Sequence, residues 1–174
     1  EIAERKEIIK ILVDFTRFLS PYLDDLISAH EFMAVLDSCR ARALFALSVN
    51  AILPQLTADK DMSWQNARHP ILLLSFREAG KEAEVVPLDI GLNQSSRILV
   101  ISGPNAGGKS VCLQTVGLLQ YMLQCGFLVP VDEGSKFRIF DHFFIDIGDE
   151  QSIDNDLSTY SSHLINMKYF IKNG

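Results

Sequence analysis

Apolar residues in this chain fall into two kinds of pattern: long stretches with helical spacing, and short runs bounded by polar turns. Over residues 1–19, Ile2, Ile8, Ile9, Leu12, Phe15 and Leu19 recur three or four positions apart with charges between them, which predicts a helix. Ser20-Pro21 reads as a break and a restart, with Ser at the N-cap and Pro at the first helical position. Asp24 and Asp25 then fall in a first turn, where the helix dipole favours acids. The second helix is expected over about 21–52, a length of roughly 45 Å. Such a length suits a lever, a coiled-coil arm or a rigid spacer, and an ordinary helical hairpin fits the same residues. Leu23, Leu26, Met33, Leu36, Leu44 and Leu47 read as a core seam, and His30 as a packing or surface residue.

Pro54 is expected to stop that helix. Residues 57–66 look polar and irregular, a connection between domains with Trp64 as a packing anchor. The run Ile71-Leu72-Leu73-Leu74-Ser75-Phe76 reads as a strand and, with Val85-Val86-Pro87, as a hairpin with an exposed tip. Residues 88–92 continue the chain, and Asn93-Gln94-Ser95-Ser96 is a polar turn. Residues 97–102 form a β-branched run that can be buried on both faces of a sheet. Residues 109–124 are apolar nearly all round (Val111, Leu113, Val116, Leu118, Leu119, Met122, Leu123), so a deeply buried helix is expected, with Gly126 as its C-cap. After a short apolar run, Asp132-Glu133-Gly134 turns the chain, and one or two strands are expected over 136–147. An acidic loop over 148–156 leads to a last helix opened by Ser158. This alternation predicts an α/β fold: a helical core or lever segment over 1–56, then half of an α/β domain over 57–174.

Between the predicted strand 97–102 and the helix from 109 lies Gly103-Pro104-Asn105-Ala106-Gly107-Gly108-Lys109-Ser110. It reads G-x-x-x-x-G-K-S, the phosphate-binding loop of P-loop nucleotidases, and its context is a strand before and a helix after. Glycines 103, 107 and 108 allow a tight backbone turn whose N–H groups approach an anion. The helix N-terminus adds unpaired donors and partial positive charge. Lys109 is placed to reach the β- and γ-phosphates of ATP, and Ser110 to offer its hydroxyl to Mg²⁺. A glycine-rich turn before a helix, with no ligand, is the plainer alternative.

Composition narrows the function classes. The 174 residues carry a formal net charge of −6, and an acidic chain without a basic stripe is a poor autonomous nucleic-acid binder. Most DNA or RNA contact is therefore expected from regions outside these residues. No run of about 18 apolar residues suggests a membrane span, and no basic-then-apolar leader opens the chain. Cys39, Cys112 and Cys125 are odd in number with no C-x-x-C spacing, and read as buried or partly buried free thiols of a cytoplasmic protein. The histidines at 30, 69, 142 and 163 show no zinc-ligand spacing. The chain begins with Glu1 rather than Met, which suggests a piece of a longer protein.

A P-loop ATPase also needs an acid at the end of an apolar strand to hold Mg²⁺. Phe143-Phe144-Ile145-Asp146 superficially fits, but Gly148 follows at once, and the preferred reading is a peripheral strand leading into a loop. With no second strand ending in Asp-Glu, nucleotide binding is expected to exceed hydrolysis.

These motifs resemble the MutS family of ABC-type ATPases. Ala67-Arg68-His69-Pro70 is similar to that family's entry into its ATPase domain, and residues 103–110 match its G-P-N-x-x-G-K-S loop. Asp146-Ile147-Gly148-Asp149-Glu150-Gln151-Ser152-Ile153, followed by Leu157-Ser158-Thr159-Tyr160-Ser161-Ser162-His163, is similar to the second MutS branch, which bears a C-terminal Smr nuclease-type domain. The resemblance implies that the N-terminal helices join the ATPase to a DNA-facing clamp. It implies that Ser158, Thr159 and Ser161 form the signature segment meeting the partner subunit's γ-phosphate; helix capping is the alternative for these hydroxyls. It places the adenine-side wall at Val85 and Val86, where apolar contact replaces aromatic stacking. For the full-length protein it implies a homodimer whose ATP binding and hydrolysis drive a clamp on DNA, in DNA repair or recombination control, with ribosome rescue as a further role. The family's second set of ATPase acids is expected beyond Gly174. Another ABC-type ATPase, or an interaction module with a vestigial P-loop, are the competing readings. The former lacks support from a long coiled coil or an L-S-G-G-Q sequence.

Overall fold

In a computed structural model the described residues are 2–59, 61–80, 85–104, 107–147 and 156–173, with backbone alone for 156–162. Their contacts divide the chain into two units, Glu1–Leu44 and Phe45–Gly174, a boundary earlier than the expected 56/57. The physical reason is that Phe45 and Val49 already pack into the second unit's core.

The first unit is helical. α1 (Ile2–Leu19) passes through a 3₁₀ turn (Ser20–Tyr22) into α2 (Leu23–Ser48). Leu19 and Leu23 keep right-handed helical backbone, so Ser20-Pro21 tightens the helix instead of reversing the chain, and no hairpin forms there. Proline keeps a helical φ but has no N–H to give the carbonyls of the preceding turn, which suits a short 3₁₀ break between two helices. The expected Leu/Met seam is not buried: Leu26, Met33 and Leu36 stay about half exposed.

α2 ends at Ser48, ahead of Pro54. Asn50 takes a left-handed φ of 51°, and Ala51 N–H donates to Ala46 C=O at 2.8 Å, a Schellman closure with Asn in the usual glycine place. Arg77 donates to the Ser48 carbonyl, a cation at the negative end of the helix.

The second unit carries a four-stranded mixed sheet in the order β1-β4-β2-β3. The strands are β1 (Gln55–Thr57), β2 (Met62–Ala67), β3 (Leu88–Leu92) and β4 (Lys136–Arg138). β1 runs parallel to β4, and β2 runs antiparallel to both β3 and β4. The supposed linker 57–66 is thus largely strand. Its alternation is cut short by a bulge: Trp64 faces Ile90 but Ala67 faces Leu88, and Asn66 between them has φ 53°. Asn66 is held by its N–H to Asp89 Oδ1 (2.7 Å) and its Nδ2 to Asp132 Oδ1 (2.9 Å).

The apolar run after His69 is a helix, α3 (Pro70–Glu78), and not the expected strand and hairpin. Pro70 occupies its first turn, and His69 Nδ1 accepts from Leu72 N–H at 3.4 Å as the N-cap. One face of this run buries Pro70 and Leu73, while Ile71 stays 62% exposed. The loop 93–96 is the expected polar turn, closed by Asn93 Oδ1 accepting from Ser95 and Ser96 N–H.

α4 (Lys109–Gln124) matches its expected span but buries one face instead of its whole circumference. Thr115, Leu119, Met122 and Leu123 face the core, while Val111 and Leu113 remain about 40% exposed. Gly126 (φ 79°) ends it as expected, with Phe127 N–H donating to Met122 C=O at 2.9 Å. The core against this face holds Trp64 and Phe137 stacked at 4.3 Å. Residues 97–102 are not a strand: Ile98 and Val100 are more than 80% exposed, and no segment among the described residues pairs with them. A strand exists only through a neighbour's N–H and C=O groups, whatever its β-branched content. Likewise 139–147 is not a strand. α5 (Asp156–Asn173) is the expected last helix, starting ahead of Ser158. No helix among the described residues is long and apolar enough to cross a membrane.

Candidate functional site

The start of α4 is the centre of the site. Gly108, its N-cap, has a left-handed φ of 78°, and the first helical bond runs from Cys112 N–H to Gly108 C=O. Only glycine takes that φ without cost. A Cβ on Gly107 would stand 3.0 Å from the Pro104 carbonyl oxygen, which accepts from Gly107 N–H at 3.0 Å. A side chain at 107 would therefore have to push the Pro104 carbonyl aside. Lys109 Nζ donates to the carbonyls of Gly103 and Pro104, both at 2.8 Å, so the ammonium ties the first residues of the loop to the helix. Asn105 and Ala106 lie outside the described residues. The first N–H groups of α4 have no acceptor within the helix, and the dipole adds positive potential there.

Two cavities flank this helix start. One, of about 710 Å³, lies between α3, the 85–88 segment and the first turns of α4. It brings Val85 and Val86, the expected adenine side, to Gly107 and Gly108. Val85 is buried and Val86 is 85% exposed, so only the former is part of the packed wall. Reading the sequence missed two rings that line the same cavity, His69 and Phe76. The His69-Pro70 pair was the signal for them: an N-cap and first-turn proline start a helix that brings Phe76 to the cavity beside Gly107 and Gly108. Burial pushes the His69 imidazole below its usual pKa, which favours the neutral ring that caps α3. Cys112, on the same wall, has its thiol pushed up by burial, so it is a poor nucleophile.

The other cavity, of about 370 Å³, is lined by Leu99, Ile101, Lys109, Ser110, Asp146 and Ile147, among others. Asp146 thus turns to the loop side, although no strand carries it there. Gln120 and Gln124 of α4 bring its segment in. Gln120 Nε2 donates to Arg138 C=O at 2.8 Å, and Gln124 pairs with both backbone groups of Phe140. Their amides act as the hydrogen-bonding neighbour that β4 lacks beyond Arg138. Ile145 then packs on α4 at Gly117, where a Cβ would meet Ile145 Cδ1 at 2.7 Å.

Asp146 is gripped by α5. His163 Nδ1 lies 2.5 Å from Asp146 Oδ2, and Asn166 Nδ2 donates to Oδ1 at 3.0 Å. The His163 hydrogen bond, then that of Asn166, holds the Asp146 carboxyl below the usual carboxylate range, against a small opposing effect of burial. His163 and Asn166 stand one turn apart on the same face of α5. The signature candidates Ser158, Thr159 and Ser161 fall in the first turns of that helix, and their side chains lie outside the described residues. No cluster of three or more acidic, histidine or cysteine side chains suited to a metal occurs among the described residues.

Residues 99–174 match the family model described as MutS domain V. Over 99% of its length the chain is 41% identical to "Endonuclease MutS2" of Finegoldia magna and 39% identical to that of Carboxydothermus hydrogenoformans. Over 94% it is 42% identical to the protein of the same name from Halalkalibacterium halodurans. It spans about a fifth of the length of these relatives, 21% of the first two and 20% of the third. The loop, the helix it opens and the segment bearing Asp146 thus lie within a stretch similar to MutS domain V, in a chain similar throughout to the second MutS branch.

Proposed function

We propose that this chain is the nucleotide-binding part of a MutS-type, DNA-acting ATPase, and that it takes ATP with Mg²⁺. The observation that carries the reading is the start of α4. A glycine-tight turn, an ammonium folded over it and the free N–H groups of a helix sit between an apolar cavity of 710 Å³ and one of 370 Å³ that holds Ser110 and Asp146. The first suits a base. Its walls are apolar apart from a few groups, as small-molecule sites usually are. The phosphates then fall on Gly103, Pro104, Asn105, Ala106, Gly107, Gly108 and Lys109.

The residues present fit Mg²⁺. Ser110 and Asp146 bring a hydroxyl and a carboxylate to one cavity, and Mg²⁺ takes hard oxygen donors, one or two from protein beside those of the phosphates. When bound, the ion neutralises phosphate charge. Ser110 is its inner donor in this reading, and Lys109 neutralises the terminal phosphates. Turnover by these residues alone is expected to be slow, because a separate water-orienting acid is expected outside them.

In the full-length protein the reading extends to a homodimer on DNA, with Ser158, Thr159 and Ser161 meeting the partner's nucleotide. Its support is the similarity to MutS domain V and to the MutS2 endonucleases. The reading takes in recombination control or repair, and ribosome rescue, as cytoplasmic roles of the full-length protein. The test is titration with fluorescent ATP and ADP beside Lys109→Ala. Saturable binding that weakens at least tenfold in the variant supports the reading, and equal binding by both proteins refutes it.

A further inference from the structure

An ionised carboxylate beside a phosphate loop is an electrostatic liability. Two like charges a few ångströms apart repel unless a cation stands between them. Asp146 is in that position, lining one cavity with Lys109 and Ser110. Its hydrogen bonds to His163 and Asn166 stabilise the ionised form and orient both oxygens. Among the described residues no lysine or arginine lies in ion-pair range of it, so Lys109 does not neutralise it. Each carboxylate oxygen has a further lone pair after its bond to α5. The chain thus fixes an acid at the one wall where a hydroxyl donor and the phosphate loop already meet.

We propose that Asp146 is a metal-facing carboxylate of the nucleotide cavity, and that His163 and Asn166 are the positioning residues that hold it there. This rests on the nucleotide reading above and adds to it that α5 sets how strongly Mg²⁺ supports nucleotide binding. α5 also carries the segment 158–161, so a contact made there in trans would be felt at the metal side in cis. The two ends of that link lie on one helix.

The measurement is the ratio of fluorescent ADP affinity in Mg²⁺ to that in EDTA, on the intact protein. A second readout is Mn²⁺ binding in the presence of ADP, followed by electron paramagnetic resonance. Asp146→Asn is expected to cut the Mg²⁺ gain by about tenfold, the scale of one lost charged ligand contact. Affinity in EDTA stays equal or rises, because a repulsive charge has gone. Mn²⁺ binding weakens in parallel. Asp146→Glu keeps the charge and restores part of the gain. His163→Asn, whose amide nitrogen can stand where Nδ1 stood, keeps most of the gain, while His163→Leu loses several-fold.

A full Mg²⁺ gain and unchanged Mn²⁺ binding in Asp146→Asn would overturn the metal role. An unchanged gain in His163→Leu would overturn the part played by α5. Lys109→Ala separates these from failure of the parent reading. If that variant binds ADP as well as the unaltered protein, the phosphate loop itself is misassigned.

Discussion

Phe137 offers a demanding test of how α4 is held. It is fully buried, and its ring stacks on Trp64 at 4.3 Å beneath Leu119, Met122 and Leu123. Truncation to Ala removes a side chain whose burial is worth roughly 2–3 kcal/mol. A residual cavity of about 80 Å³ at about 24 cal/mol per Å³ adds roughly 2 kcal/mol. The expected loss is therefore about 4–5 kcal/mol, a large share of the roughly 5–15 kcal/mol of a typical domain. Phe137→Leu fills most of the space and forfeits mainly the ring contact, for about 1–1.5 kcal/mol. The assay is built into the protein, because Trp64 is its sole tryptophan and lies in this core. Urea unfolding followed by its fluorescence reports the second unit alone. With a slope near 2 kcal/mol/M, Phe137→Ala lowers the midpoint by about 2 M or leaves no folded baseline. A shift below about 0.5 M would mean that Phe137 does not seal this core.

Two further predictions concern the nucleotide side. Gly108→Ala forces a Cβ into a φ of 78°, which costs about 1–3 kcal/mol wherever the turn is kept. Nucleotide affinity should fall by roughly tenfold or more, read by the same fluorescent titration, and an unchanged affinity would mean the helix start is not the phosphate site. His69 has a folded pKa below its ordinary value of 6.5, so the folded state binds fewer protons than the unfolded one as pH falls through that value. Its contribution is whole above about pH 6.5 and is lost as the pH drops towards the lowered pKa, where protonation also removes the acceptor that caps α3. His69→Asn keeps a cap without titrating, so its melting temperature should fall less than that of the unaltered protein between pH 7.5 and about 5.5. Parallel curves would refute the assignment.

By itself the sequence determined what depends on near neighbours. The Gly107-Gly108-Lys109 turn, the span of α4 and its closure at Gly126 follow from φ preferences, orphan helix donors and 3.6-residue periodicity, all settled within a few residues. The polar turn at 93–96 and the helix opening near Ser158 are legible for the same reason. What depends on a distant partner was decided by the tertiary structure. Residues 97–102 have the composition of a strand, but pairing is a property of two segments, and none among the described residues lies beside them. β2 hides behind a bulge at Asn66, whose cost is met by Asp89 and Asp132. Ile71 to Phe76 could be strand or helix by hydrophobicity, and the cap at His69 with Pro70 decides for the helix. Asp146 reads in sequence as the end of a peripheral strand. Only the tertiary fold sets it in one cavity with Ser110 and within reach of His163 and Asn166, because the 139–147 segment must dock on α4, and α5 on that segment, before those side chains can meet.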